Sequence, residues 1–231
     1  MKTDGRLRAL GVGICGTLLA GCDGGWSVQF AGPFPAQAAD MAEFPARHRG
    51  VYTAADSSNS VCIGRTAVWV QELATRRYSR HEFDSLGYRL RADSTYLAAG
   101  KPHYLHLVGH DSVRDSWLHT DTIFAIGSEL GAGRLRRFQG RYYLSAYAGT
   151  AIHRLDMWDV ERLEIHGRHL LRQRLGNDTL RLGALAPATV HYTRYNGTSY
   201  FQIVPGTPAE TRRVGRYEGL WATIEEYERR H

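Results

Sequence analysis

Lysine is nearly missing from this chain: of its 29 basic residues, only Lys2 and Lys101 are lysines. The arginines are scattered, in pairs such as Arg76-Arg77, Arg136-Arg137, Arg212-Arg213 and Arg229-Arg230. A formal charge of +6 spread this thinly excludes the clustered footprint that nucleic acid requires. A membrane-spanning run is also missing. The apolar stretch Ala9 to Ala20 has twelve residues, whereas a spanning helix needs about 20. Catalytic signatures are lacking too. No Gly-x-Ser-x-Gly elbow occurs. His81-Glu82 is not followed by the second histidine of a zincin. Gly100-Lys101 runs into Pro102 and lacks the upstream glycine of a phosphate loop. Asp111, Asp115 and Asp121 do not have the spacing of an EF-hand. No internal repeat or low-complexity block is present. Cysteine occurs three times, at 15, 22 and 62.

What is present begins at the N-terminus. Lys2, Arg6 and Arg8 precede the apolar run, which ends in Leu19-Ala20-Gly21-Cys22. This order resembles the signal and lipobox of bacterial membrane lipoproteins, with Leu19 at −3, small Ala20 and Gly21, and then the cysteine. The resemblance implies a diacylglyceryl thioether on Cys22, cleavage just before it, and a lipid anchor in the cell envelope, with the outer membrane as the expected location. Each buried CH₂ contributes about 0.8 kcal/mol, so two or three chains hold firmly. Gly11-Val12-Gly13-Ile14-Cys15-Gly16 matches a dinucleotide fingerprint, but it lies in the segment expected to be removed. Cleavage would take the formal charge from +6 to +4, since Lys2, Arg6, Arg8 and Asp4 leave. Cys15 leaves as well, so the mature chain has no partner for an intrachain disulfide. Cys62, within Val61-Cys62-Ile63, reads as a small buried hydrophobe.

The expected organisation is a signal peptide over 1–21, a flexible tether over 22–43 and a β-rich globular domain over 44–231. The tether is rich in Gly, Ala and Pro and as a coil would reach about 25 Å, with Trp26, Phe30 and Phe34 able to enter the membrane interface or to pack on the domain. From Phe44 onward, short β-branched and aromatic runs alternate with turn signals every 8 to 12 residues or so. The fold class expected is mainly β: a single antiparallel meander, barrel or sandwich, with a short C-terminal helix. Gln139-Gly140, His166-Gly167 and Asn196-Gly197 mark two-residue hairpins. The apolar positions shift from Trp158 and Val160 to Leu163 and Ile165, for which a bulge near Glu161-Arg162 would account. Thr207-Pro208-Ala209-Glu210 opens a helix running to about Gly215. Leu220 to Arg229 fits a helical face or a closing strand, and the helix is the expected form. Gly50 to Tyr52, Asp121-Thr122-Ile123-Phe124, Gly140-Arg141-Tyr142-Tyr143-Leu144 and Trp158-x-Val160 give the domain a texture. It resembles uncharacterised lipoproteins of Bacteroidota-type bacteria, and this implies no activity.

Among candidate chemistries, His103, His106, His110 and His119 fall close to Asp111, Asp115 and Asp121. Metal needs three or four such groups converging on one point. On a strand, His103 and His106 face opposite sides, which leaves only His106 and His110, with Asp111, able to meet. No metal, cofactor or catalytic residue is therefore assigned. Asp84-Ser85-Leu86, Asp93-Ser94-Thr95, Asp111-Ser112-Val113, Asp121-Thr122-Ile123 and Asp178-Thr179-Leu180 resemble Bacteroidota O-glycosylation triplets. Turn chemistry at the start of a strand predicts the same residues. The expectation is a non-enzymatic envelope module contacting a protein, glycan or small ligand. A lipocalin-like ligand barrel and, less favoured, an envelope-polymer hydrolase are the alternatives.

Overall fold

The computed structural model describes residues 26–127, 133–152, 155–176, 179–185, 189–195 and 198–230. Its strands are β1 (Trp26–Phe30), β2 (Gly50–Ala54), β3 (Asn59–Ile63), β4 (Ala67–Ser79), β5 (Thr95–Ala98), β6 (Lys101–Leu107) and β7 (Ser112–Ala125). They continue with β8 (Arg134–Phe138), β9 (Arg141–Ile152), β10 (Leu155–His166), β11 (His169–Leu175), β12 (Val190–Tyr195), β13 (Thr198–Ile203) and β14 (Trp221–Arg229). Helices α1 (Arg80–Ser85), α2 (Thr179–Leu182) and α3 (Pro208–Arg216) are short. All the strands join one sheet, in the order β12-β13-β1-β10-β11-β14-β2-β3-β4-β7-β6-β5, with β9 and then β8 branching from β10. Every ladder is antiparallel except β1 against β13. Among the described residues, the ends of β7 and β8 meet at a single bridge, between Ile126 and Gly133, and the curled sheet does not close into a barrel.

Strand β10 is the fork. Strand β9 follows one of its edges from Met157 to Leu163. The other edge is shared by β1, at Trp158, and by β11, from Glu161 to His166. Both faces of β9 and β10 are buried. Tyr142 and Leu163 point into a core with Phe44, Tyr52, Val61 and Val68. Their neighbours Tyr143 and Val160 point the other way, into a second core with Phe30, Phe34, Val214 and Trp221. Alternation of side chains along a strand puts adjacent residues on opposite faces, and here each face finds apolar cover. The second core is a chain of rings. Phe30 lies 4.7 Å from Phe34, Phe34 packs edge-on to Tyr143 at 4.9 Å, and Tyr143 meets Trp221 at 5.7 Å. Such pairs contribute about 0.5–1.5 kcal/mol each beyond area burial.

Strands β4 and β7 outrun this body. Strand β3 leaves β4 at Glu72, while the β4–β7 ladder continues to Ser79 and Ser112. Strands β6 and β5 add to the outer half, and α1 packs on one face of it. Ser79 caps α1 and Glu82 returns the bond, a reciprocal box that starts a helix of only six residues. This arm has its own small core of Phe83, Tyr96 and Val113.

Several expectations need correction. Residues 26–43 do not form a free tether: β1 lies within the sheet, and Phe30 and Phe34 are fully buried. The Gly-Ala-Pro composition suggested a coil, but Phe30 and Phe34 supply enough apolar area to dock it. No bulge occurs at Glu161-Arg162, since both ladders run through these residues without a break. The apolar shift records a strand buried on both sides. The segment after Leu220 is strand β14, paired with β11 and β2. Two open edges outweighed a weak helical preference. The hairpin expected at His166-Gly167 turns one residue later, with His166 paired to His169 and Gly167 at φ +59°. Gln139-Gly140 (φ +52° and +83°) and the capped helix α3 form as expected. Asn196-Gly197 lies outside the described residues, although Tyr195 and Thr198 on either side of it are paired.

Candidate functional site

Cys22 and the expected signal segment lie outside the described residues. The described residues start at Trp26, four positions beyond Cys22. Four residues span at most about 14 Å, so a lipid on Cys22 would hold β1 close to the bilayer rather than at the end of a long leash.

The histidines pair off locally instead of converging. His110 Nδ1 meets Asp111 at 3.0 Å and His119 Nε2 meets Asp121 at 2.9 Å, both at the surface. His106 stands opposite Arg114 on β7. Among the described residues, no group of three or more His, Cys, Asp or Glu side chains is placed to hold a metal ion. The pair that matters structurally is one the sequence did not single out, His103 with Asp115. Asp115 is 1 % exposed, and its carboxylate takes bonds from His103 Nδ1 at 3.0 and 3.1 Å and from the Tyr96 hydroxyl. The His103 ring lies between Tyr96 and Trp117, each 5.0 Å away. Burial first, and then the Asp115 carboxylate, push the Tyr96 phenol well above its ordinary value. The trio locks β5, β6 and β7 together under α1. Asp115 lies twelve residues beyond His103 in no recognisable motif, so only the strand register unites them.

The body's charged residues are likewise committed to structure. Arg162 is completely buried. It donates to Gln173 Oε1 at 2.7 Å, the Gly215 carbonyl at 3.0 Å and Glu218 Oε2 at 2.6 Å, and it lies over the Trp221 ring. Arg141 bonds Glu164 and Glu218, and Arg172 grips Glu161 through two bonds. Cys62 is buried, with its thiol on Gln71 Oε1 at 3.2 Å, and burial raises its pKa. That is the small hydrophobe expected. A polar depression at the fork, about 410 Å³, is lined by Ser27, Asp159, Glu161 and Arg174. Its acids are already held by Gln29 and Arg172.

One region stands apart. Except for Val51 and Tyr192, every large hydrophobic that is exposed among the described residues lies between Leu73 and Leu118, on the arm. Register aligns several of them. Leu73 pairs with Leu118 across β4 and β7, and Pro102 pairs with Leu97 across β6 and β5. Because His103 pairs with Trp117, Pro102 falls next to Leu118. Four apolar residues thus cross four strands in one row, on the face opposite α1. Leu73 is 62 % exposed, and Leu118 and Leu97 are each 50 % exposed. In the sequence, Leu73 and Leu118 sit in separate segments that only the β4–β7 register brings together. Glu72, Arg76 and Arg77 also interrupt the apolar run of β4.

Comparison of the chain with known protein families, curated proteins and solved structures gives no match.

Proposed function

We propose that this protein is a bacterial envelope lipoprotein, anchored through Cys22, whose β domain is a non-enzymatic contact module. The lipobox-like order of residues 1–22 supports the anchor, and the arm supports the contact. The observation that carries the reading is the concentration of exposed apolar side chains on the arm beside a body that buries its own. Monomeric soluble surfaces rarely leave such area contiguous, and where they do it marks an interaction site. No specific observation favours the alternatives. Among the described residues, Phe44, Tyr52, Tyr142 and Leu163 pack together inside the curled sheet, where a lipocalin-like barrel would hold its ligand. His106 and His110 are exposed, and His110 is engaged with Asp111.

Two measurements test the reading. Intact mass of the mature protein should give a chain starting at a diacylated Cys22, and an uncleaved or lipid-free chain removes the anchor. A thiol placed on the arm as Thr75→Cys should react with a soluble maleimide several-fold more slowly in native envelopes than in the purified protein. Equal rates in the two would remove the contact.

A further inference from the structure

We infer that the open face of the arm docks on an anionic lipid bilayer. The inference rests on the contact reading above and names the partner. The face is read row by row across the sheet. Next to the apolar row of Leu73, Leu118, Pro102 and Leu97 comes a row centred on Tyr104, which is 49 % exposed. Beyond it, Arg77 stands directly opposite Arg114, and Arg114 directly opposite His106. All three are exposed, and none is in an ion pair among the described residues.

Like charges facing across a ladder are destabilising, so this row is arranged against the fold's own interest unless an anion lies over it. The strands contribute no acid to this face. Asp93, in the turn before β5, is turned into its own loop by Thr95. The combination of leucines, an amphipathic tyrosine and long cationic side chains on one flat face suits the plane where acyl chains meet headgroups. Leucines and the tyrosine ring would enter that boundary while the guanidiniums reach lipid phosphates.

A lipid on Cys22 would keep the whole molecule at a bilayer surface, since at most about 14 Å of chain separates Cys22 from Trp26.

The test uses the full chain, purified with its lipid and reconstituted in vesicles. Cys62 is buried, so Thr75→Cys carries the one reactive thiol on the domain and takes an environment-sensitive fluorophore. In vesicles with about 30 % phosphatidylglycerol its emission should shift to the blue, with little shift in phosphatidylcholine alone. The same dye at Ser57→Cys, on the body, should not respond. Removing both cations as Arg77→Gln/Arg114→Gln should weaken docking about thirty-fold, and raised salt should weaken it in the same direction. Leu73→Ser/Leu118→Ser should also abolish the shift, and unchanged melting of each variant shows that the arm is still folded.

No shift in anionic vesicles overturns the inference. A shift of equal size in neutral lipid overturns the anionic requirement. A shift that grows with the protein-to-lipid ratio in neutral vesicles means that a second copy covers the face, and it overturns the inference as well. If the maleimide at position 75 is blocked in native envelopes but the dye ignores lipid, the contact reading stands and the bilayer is excluded. If neither responds, the contact reading itself falls.

Discussion

The body and the arm of this protein are built from the same kind of strand but settle their side chains by opposite rules. In the body, β9 and β10 bury both faces, and even Arg162 is taken inside with three hydrogen-bond partners and an aromatic lid. In the arm, one face of the sheet is closed by α1 over Phe83, Tyr96 and Val113, and the other is left open. The body therefore holds itself together through two large cores. The arm depends on one small cluster and the Tyr96–Asp115–His103 lock. A segment with so little buried area opens before the rest of the molecule does. Surface that stays exposed there is surface available to something else.

The sharpest way to break the comparison is to damage each core in turn. Phe34→Ala removes the ring that joins Phe30 to Tyr143, and it should cost about 4 kcal/mol and lower the global melting point. Phe83→Ala should cost about 3 kcal/mol, but as local opening. Amide exchange should accelerate across Tyr78 to Val113 while the body's protection holds. Equal acceleration in both regions would show that they form one cooperative unit. Arg162→Ala should cost about 3 kcal/mol, because it strands Gln173 and the Gly215 carbonyl and leaves a hole under Trp221. Chemical denaturation measures this directly. In the arm, Tyr96→Phe takes one donor from the buried Asp115 and should cost about 1–2 kcal/mol, again seen in arm exchange only. Thr207→Ala removes the α3 cap and should cost about 1 kcal/mol of body stability.

The smallest effect is one of pH. His48 bonds the Tyr142 hydroxyl at 2.6 Å, and burial, then Arg47, hold its imidazole below the ordinary histidine value. The unfolded chain therefore takes up the proton first. The contribution is complete above about pH 6.5 and declines as the pH falls through that value. Melting curves of His48→Gln should be flatter than wild type across this window. The arm should show no such difference between the two proteins.

How much of this was legible follows from which signals are local. The hairpin at Gln139-Gly140 and the box at Thr207 and Glu210 depend on backbone conformation within four residues, and they formed where the sequence put them. The all-β class followed from turn spacing and aromatic alternation. The closing strand after Leu220 was not legible, because its form was decided by the waiting edges of β11 and β2 rather than by its own residues. Trp26 to Phe34 read as a tether because glycine and proline report on local stiffness and carry no information about a docking site far along the chain. The candidate face was hidden for a related reason. Its members come from four strands, and each strand taken alone shows only a few scattered exposed apolar or cationic residues.

By itself the sequence determined a β-rich chain with a lipobox-like start, several turns, one capped helix and no disulfide framework, since each of these is written in neighbouring residues. Only the tertiary structure decided that β10 is covered on both sides, that His103 meets Asp115, and that Leu73 and Leu118 share an open face with Arg77 and Arg114. Strand register is a long-range choice, set by which edges and faces remain to be filled once the rest of the chain has packed.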